Sequence, residues 1–474
     1  QGAFASGSFG EVWHCTRHSA QAEEAQGDED YVLKRMMVEK GAGVRLSGQR
    51  ERYYGELFRE APVGGGAAAA GAAAAGRVSG RTVSPITRAL WEKRQRMDAA
   101  LAAEAAGGRA AREQTDFSPK RPDPLSVTFP FSEDPVLVEQ YRSPWGFVRL
   151  GRILEDLDSL AGNIAHAHCD DGDIETPPPL LVTAGVEKIA LKRQMSLESD
   201  MTLSGRVIWV GNSSLDIHMS VADATGRECL TSHFFFVARS PFTGKAQRIN
   251  PLALDDPAAR DAFEDGAARA AARKAARKGS GGGGADAATA ETAAKWVAAI
   301  MQRSQVAQDM PTLVPAGWVW AADTAHENIL MCQPQQRNMA GRIFGGFLMR
   351  RAFELAFATC YSFAGSRPAF LLVDDITFQR PVDVGDLLRL KSVVRHVEHK
   401  YNPGPPWLGA PHSHAVIHVA VTALVVRPEQ PSSHVTNTFQ FRFAVDNSAK
   451  PLKTVLPATQ DEAHEMYAAA SQHL

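Results

Sequence analysis

The chain has 474 residues, enough for two or three domains with proper cores. With 51 Lys and Arg against 53 Asp and Glu, its net charge of -2 gives no electrostatic case for a nucleic-acid partner. Five scattered cysteines (Cys15, Cys169, Cys229, Cys332, Cys360) form no C-x-x-C pair, which argues against a disulfide framework or a zinc site and suits a reducing compartment. No apolar run approaches the length of a membrane span, so a soluble protein is expected. The chain opens on Gln1, as a truncated one would, and a targeting peptide would then lie out of sight.

The first segment, residues 1–60, carries ASGSFGEVWHC at 5–15. Ala5 stands where a glycine-rich loop has its first Gly, while Gly7, Gly10 and Val12 keep the pattern. Lys34 in YVLKRMM follows, with Glu51 or Glu56 as a helical acidic partner. The combination resembles the small lobe of a protein kinase. Phosphoryl transfer also needs an H-R-D catalytic loop and a metal-binding D-F-G, and neither follows; the nearest lookalike is Thr115-Asp116-Phe117-Ser118. The segment is therefore expected to be a fused or mis-joined fragment without ATP affinity.

Low-complexity stretches divide the rest. GGGAAAAGAAAAG at 64–76 opens a linker and helical lead-in over 61–119. An ordered block spans 120–256, and a second linker, 257–299, contains ARAAARKAARKG and is expected to be a solvated helix ending at Gly279. That basic stretch holds no aromatic residue to stack on bases, which argues against a nucleic-acid tether. A second block spans 300–450, and 451–474 is a tail.

The two blocks repeat one pattern. SPWGFVRLGRILEDLDSLAGNIAHAH (143–168) and NMAGRIFGGFLMRRAFELAFATCYSFAG (338–365) align Gly146 with Gly341 and Gly151 with Gly346, 195 residues apart. The first predicts an amphipathic helix with a broad apolar face, through Leu150, Ile153, Leu154, Leu157, Leu160, Ala161 and Ile164. The second is apolar around most of its circumference, which predicts a helix buried on nearly every side. Strand-like runs follow each: LLVTAGVEKIA, MTLSGRVIWV, SLDIHMSVA and CLTSHFFFVA, then FLLVDDITFQR, LLRLKSVVRHV, HAVIHVAVTALVV and HVTNTFQFRF. Several alternate apolar with polar residues, as half-buried antiparallel strands do. A long helix followed by about four strands, twice over, predicts an α+β fold in which each antiparallel sheet wraps around its helix.

NMAGRIFGGFLMRRAFELA with LLVDDITFQRPVDVGDLLRL, and LEDLDSLAGNIA with WVGNSSLDI, resemble the hotdog-fold acyl-CoA thioesterases, in particular the mitochondrial branch with two hotdog domains in one chain. The resemblance covers roughly residues 84–450. It implies a double hotdog fold and hydrolysis of fatty acyl-CoA to free fatty acid and CoA. No cofactor is implied, since CoA is part of the substrate. Also implied are a mitochondrial location, with plastid or cytosol as alternatives, and an internal pseudo-dimer open to further assembly.

The family pairs an Asn just before one helix with an Asp inside the other. Here Asn338 matches the Asn, and Ser143 takes its place in block one; Asp158 matches the carboxylate, and Phe353 takes its place in block two. Each block keeps one half of the constellation, which implies one composite site built from Asp158 and Asn338. Asn338 reads both as a helix cap and as a carbonyl donor. Gly345 and Gly346, at a helix start, would offer free amides to a developing oxyanion, with Glu354 as a further substrate-side residue. Glu155 and Asp156 read as exposed helix charges. Asp374 and Asp375 read as acids or as buried hydrogen-bond partners, Arg342 and Arg380 as weak candidates for CoA phosphates, and His412, His414 and His418 as strand histidines without a metal role. Two alternatives compete: a non-catalytic acyl-CoA-binding hotdog and, ranked lower, a hotdog hydratase, whose D-x-N-x-x-H signature the sequence lacks.

Overall fold

The computed structural model describes residues 3–7, 10–16, 30–35, 114–171, 176–279, 287–338, 340–399, 414–448 and 451–471, with isolated positions between 86 and 102 and at 407. The chain falls into two compact units, Gln1–Arg81 and Thr82–Leu474. In the first, β1 (Ala3–Gly7), β2 (Gly10–Thr16) and β3 (Asp30–Arg35) form an antiparallel sheet in that order, with Val12 opposite Lys34. The turn residues Ser8 and Phe9 and the acidic candidates Glu51 and Glu56 lie outside the described residues.

The second unit begins its first half with β4 (Leu125–Phe129) and α1 (Pro135–Tyr141). Asp134 caps α1 by accepting from the Val136 and Leu137 amides, both at 2.9 Å, and Pro135 supplies the preset φ of a helix start. The central helix α2 (Leu150–Cys169) follows, then β5 (Leu180–Val186), β6 (Ile189–Leu191), β7 (Met201–Val210), β8 (Ser214–Asp223) and β9 (Glu228–Arg239). Helices α3 (Pro257–Gly279) and α4 (Ala287–Asp309) lead to β10 (Trp318–Trp320) and β11 (His326–Met331). The second central helix is α5 (Gly345–Ala364), followed by β12 (Ala369–Val373), β13 (Ile376–Thr377), β14 (Leu387–Glu398), β15 (His414–Arg427), β16 (Ser432–Asp446), β17 (Thr454–Leu456) and α6 (Gln460–Ser471).

Among the described residues, twelve strands make one antiparallel sheet, along the path β11-β14-β15-β16-β12-β6-β9-β8-β7-β4, with β5 and β13 joined beside it. The two halves meet strand to strand. Ile376 opposes Val186 and Thr377 opposes Gly185, while Val373 opposes Ile189 and Leu372 opposes Ala190. Exchanging the halves maps one junction onto the other, so the repeat in the sequence is a pseudo-two-fold axis in the fold. Both central helices, each wrapped by its share of the sheet, pack on one another at this axis. This is the double hotdog.

Two sequence expectations are corrected. Helix α2, not α5, is the one enclosed on nearly all sides: every residue is buried except Arg152, Glu155 and Ala167, whereas α5 exposes Ala358, Tyr361 and Ser362. Elements of its own half cover α2, since Tyr141 of α1 bonds Asp156 and Asn163 donates to the Ile86 carbonyl at 3.0 Å. Helix α3 does end at Gly279, but it lies on the sheet and not free in solvent. A methyl at Gly266 would collide with Trp209 Cβ, Arg269 donates to the buried Asp216 at 3.2 Å, and the Arg273 guanidinium lies 3.2 Å from the centre of the Phe235 ring.

Candidate active site

Each central helix is entered through the same tight turn. At Ser143–Phe147, the Ser143 amide donates to the Phe147 carbonyl at 2.7 Å and its hydroxyl accepts from the Phe147 amide at 3.1 Å. At Asn338–Arg342, the Asn338 amide donates to the Arg342 carbonyl at 2.6 Å and its side-chain Oδ1 accepts from the Arg342 amide at 3.1 Å. Gly146 and Gly341 take φ of 78° and 80°, a left-handed conformation that favours glycine. Ser and Asn close this turn equally well; the asparagine additionally brings a side-chain amide donor.

The turn delivers the chain to the start of α5 at Gly345, where the first amides have no intrahelical acceptor and the helix dipole is positive. Across the axis, Asp158 of α2 points at this end. Its Oδ2 accepts from the Gly346 amide at 2.6 Å, and its Oδ1 accepts from the Thr183 hydroxyl of β5 at 3.1 Å. Both glycines are needed for the approach. A methyl on Gly345 would meet Asp158 Oδ2 at 3.0 Å and the Phe378 ring at 3.1 Å; one on Gly346 would meet the Phe344 ring at 2.7 Å and Glu155 Cα at 3.0 Å.

Asp158 is 0% exposed. Its carboxyl is held up at about 7: burial raises it most, the nearby Glu155 charge adds to that, and the Gly346 and Thr183 hydrogen bonds partly offset both. A carboxyl poised near neutrality at a helix N-terminus, among the aromatic rings Phe344 and Phe378, can exchange a proton with a bound nucleophile at working pH.

The sequence thus identified Asp158, Gly345 and Gly346 as neighbours, and they are in contact. It missed Thr183, whose hydroxyl faces inward from an otherwise apolar strand. The Gly346 amide, expected to face an oxyanion, is instead engaged by Asp158. Glu354 is held away from this contact by Arg149 at 2.6 Å, Arg350 at 3.1 Å and Arg351 at 3.3 Å. Glu155 and Asp156 are not exposed charges: Asp156 is buried against Tyr141, and Glu155 pairs with Arg350 at 2.8 Å. Asp374 pairs with the buried Arg442 at 3.2 Å, and Asp375 accepts from the Lys188 amide at 2.7 Å, so both are structural partners. Arg342 lies 3.4 Å from Asp383, and His418 bonds Glu398 at 2.7 Å, while His412 lies outside the described residues.

Comparison with known proteins gives the family. Acyl-coenzyme A thioesterase 2 of Humulus lupulus, chloroplastic by name, is 41% identical over 399 residues, covering 81% of this chain and 87% of the relative. Acyl-coenzyme A thioesterase 9 of Homo sapiens, mitochondrial by name, is 34% identical over 358 residues, covering 74% and 77% respectively. The chain belongs to the acyl-CoA thioesterase family. No protein-family model matches the sequence. Among solved structures, an acyl-ACP thioesterase from Bacteroides thetaiotaomicron is 10% identical with a TM-score of 0.37, covering 68% of this chain and 97% of that one.

In this thioesterase the mirrored position is a different environment. Phe353 stands where the pseudo-symmetry would put a second Asp158, and its ring is the atom group nearest a methyl on Gly151, at 3.3 Å. The counterpart of Thr183 is Phe370, whose ring centre lies 5.5 Å from that of Phe353. Phe441, Phe443 and Phe357 complete the cluster at 5.9, 6.0 and 6.2 Å. The place of the carboxylate and the hydroxyl is taken by hydrophobic core.

Proposed function

We propose that the protein hydrolyses acyl-CoA to a free fatty acid and CoA at a single composite site, with Asp158 from the first half and Asn338 with the α5 N-terminus from the second. The observation that carries this reading is the contact of the buried Asp158 with the Gly346 amide across the axis, found on one side of the pseudo-dimer and replaced by phenylalanines on the other. Asp158 as carboxylate takes a proton from water, and the resulting hydroxide attacks the thioester carbon. The Asn338 side-chain amide and the Gly345 N–H stabilise the oxyanion, while Gly346 and Thr183 hold the acid in place. Collapse breaks the C–S bond, and Asp158 returns its proton to the CoA thiolate. No cofactor enters, and the near-neutral charge fits a small-molecule substrate and not a nucleic acid.

The relatives' names support an organellar reading, mitochondrial or plastid. No described helix is long and apolar enough to cross a membrane. The exposed Ile329 and Met331 on the edge strand β11 support further assembly of the pseudo-dimer. Release of free CoA tests the site: Asp158→Asn should cut kcat by about 10³-fold and Asn338→Ala by about 10²-fold in a chain of unchanged circular dichroism. Near-normal turnover in either variant rejects the assignment.

A further inference from the structure

Asp158 sits in the first half, yet a second pair of side chains ties its turn of helix to the other half. Three residues before it on α2, Glu155 Oε2 accepts from Arg350 Nη1 of α5 at 2.8 Å. Arg350 also donates through Nε to Glu354 at 3.1 Å. The charges are unevenly shared. Glu354 keeps Arg149 and Arg351 besides Arg350, whereas among the described residues Arg350 is the one ion-pair partner of Glu155. The Glu155 and Arg350 side chains are 23% and 17% exposed, sheltered enough that an unpaired charge there would be costly.

Glu155 and Arg350 are 195 residues apart, the displacement that relates Gly151 to Gly346 and Asp158 to Phe353. They are the same position in the two halves, and their contact lies on the pseudo-two-fold axis. Two identical halves would bring Glu to Glu or Arg to Arg at this point; only unlike halves bring Glu to Arg. The backbones are already touching here, since a methyl on Gly346 would stand 3.0 Å from both Glu155 Cα and Asp158 Cβ.

We propose that Arg350 is a positioning residue for Asp158: by fastening Glu155 across the axis, it holds the acid-bearing turn of α2 on the Gly346 amide and neutralises the carboxylate beside the acid. The inference rests on Asp158 being the reacting carboxylate. The groups facing Asp158 are Glu155 on its own helix, the Gly346 amide with Arg350 behind it on α5, and the Thr183 hydroxyl on β5. Asp156 turns to Tyr141 of α1, and Glu354 to its arginines.

A purely structural pair would lower activity without moving its pH dependence. A positioning pair moves it in opposite directions for the two partners. Arg350→Met leaves Glu155 unpaired, and the acidic limb of kcat/KM should rise by about one pH unit, with Arg350→Lys restoring most of the shift. Glu155→Gln keeps a hydrogen-bond acceptor for Arg350 but removes the negative charge, and its limb should fall by about half a unit. This variant leaves no unpaired carboxylate and carries the test even where Arg350→Met folds poorly. A Glu155→Gln limb that stays in place, an Arg350→Met limb that stays in place, or failure of the Lys variant to restore it overturns the proposal. If Asp158→Asn is inactive in the same assay, the catalytic reading survives that result; wild-type turnover in Asp158→Asn overturns both.

Discussion

The two halves of the pseudo-dimer share a frame and differ in what fills it. Each has a five-residue turn closed by Ser143 or Asn338, a positive-φ glycine, and a central helix beginning at Leu150 or Gly345. At one helix start an acid, a hydroxyl and an amide meet; at the other, Phe353, Phe370 and their neighbours close into core. A fused repeat is free to diverge in this way because its two equivalent positions are different residues of one gene, which a symmetric homodimer cannot achieve. On the proposed reading the polar side supplies chemistry at a cost in stability, and the aromatic side supplies stability.

That contrast can be broken most strongly at its apolar pole. Phe353→Ala removes the ring that contacts four other phenylalanines and should destabilise the fold by about 3–5 kcal/mol, read from denaturant unfolding. At the polar pole the effect has the opposite sign. The Asp158 carboxyl is lifted from its ordinary 3.8 to about 7, so its protonated form suits the fold and stability falls as pH rises between those values. Asp158→Asn can still accept from Gly346 and donate to Thr183. It should therefore be more stable than wild type at pH 8 by about 4 kcal/mol at most, and no different at pH 4, in parallel thermal melts. The glycines sharpen the comparison further. Gly346→Ala pushes a methyl against backbone at Glu155 and should lower kcat/KM about 100-fold. Gly151→Ala meets the side chains of Phe353 and Arg350 at 3.3 and 3.4 Å, with the Arg350 carbonyl at an ordinary 3.7 Å, and should stay within about twofold.

Much of this frame could be read from the sequence because it is local. The helix starts, the strand runs and the 195-residue repeat follow from periodicity and glycine placement. The exchange of Asp158 for Phe353 appears once the repeat is aligned, and its meaning for a site comes from the family resemblance. What escaped depends on contacts between residues far apart in the chain. Glu155 looked like a solvated helix charge because its partner is Arg350, on the other side of the axis. Thr183 reaches Asp158 only through the sheet register that sets β5 beside α2. The docking of α3 depends on Gly266 meeting Trp209 and Arg269 meeting Asp216, pairings that an Ala/Arg-rich stretch does not advertise. The enclosure of α2 likewise comes from α1 and Ile86, which lie outside the helix's own pattern.

The central claim is one working site per chain. It is tested most directly by calorimetric titration of the full-length Asp158→Asn chain with a non-hydrolysable acyl-CoA thioether. The asymmetry predicts one equivalent bound per chain, because the mirrored position is filled by the Phe353 cluster. Two equivalents per chain would contradict it.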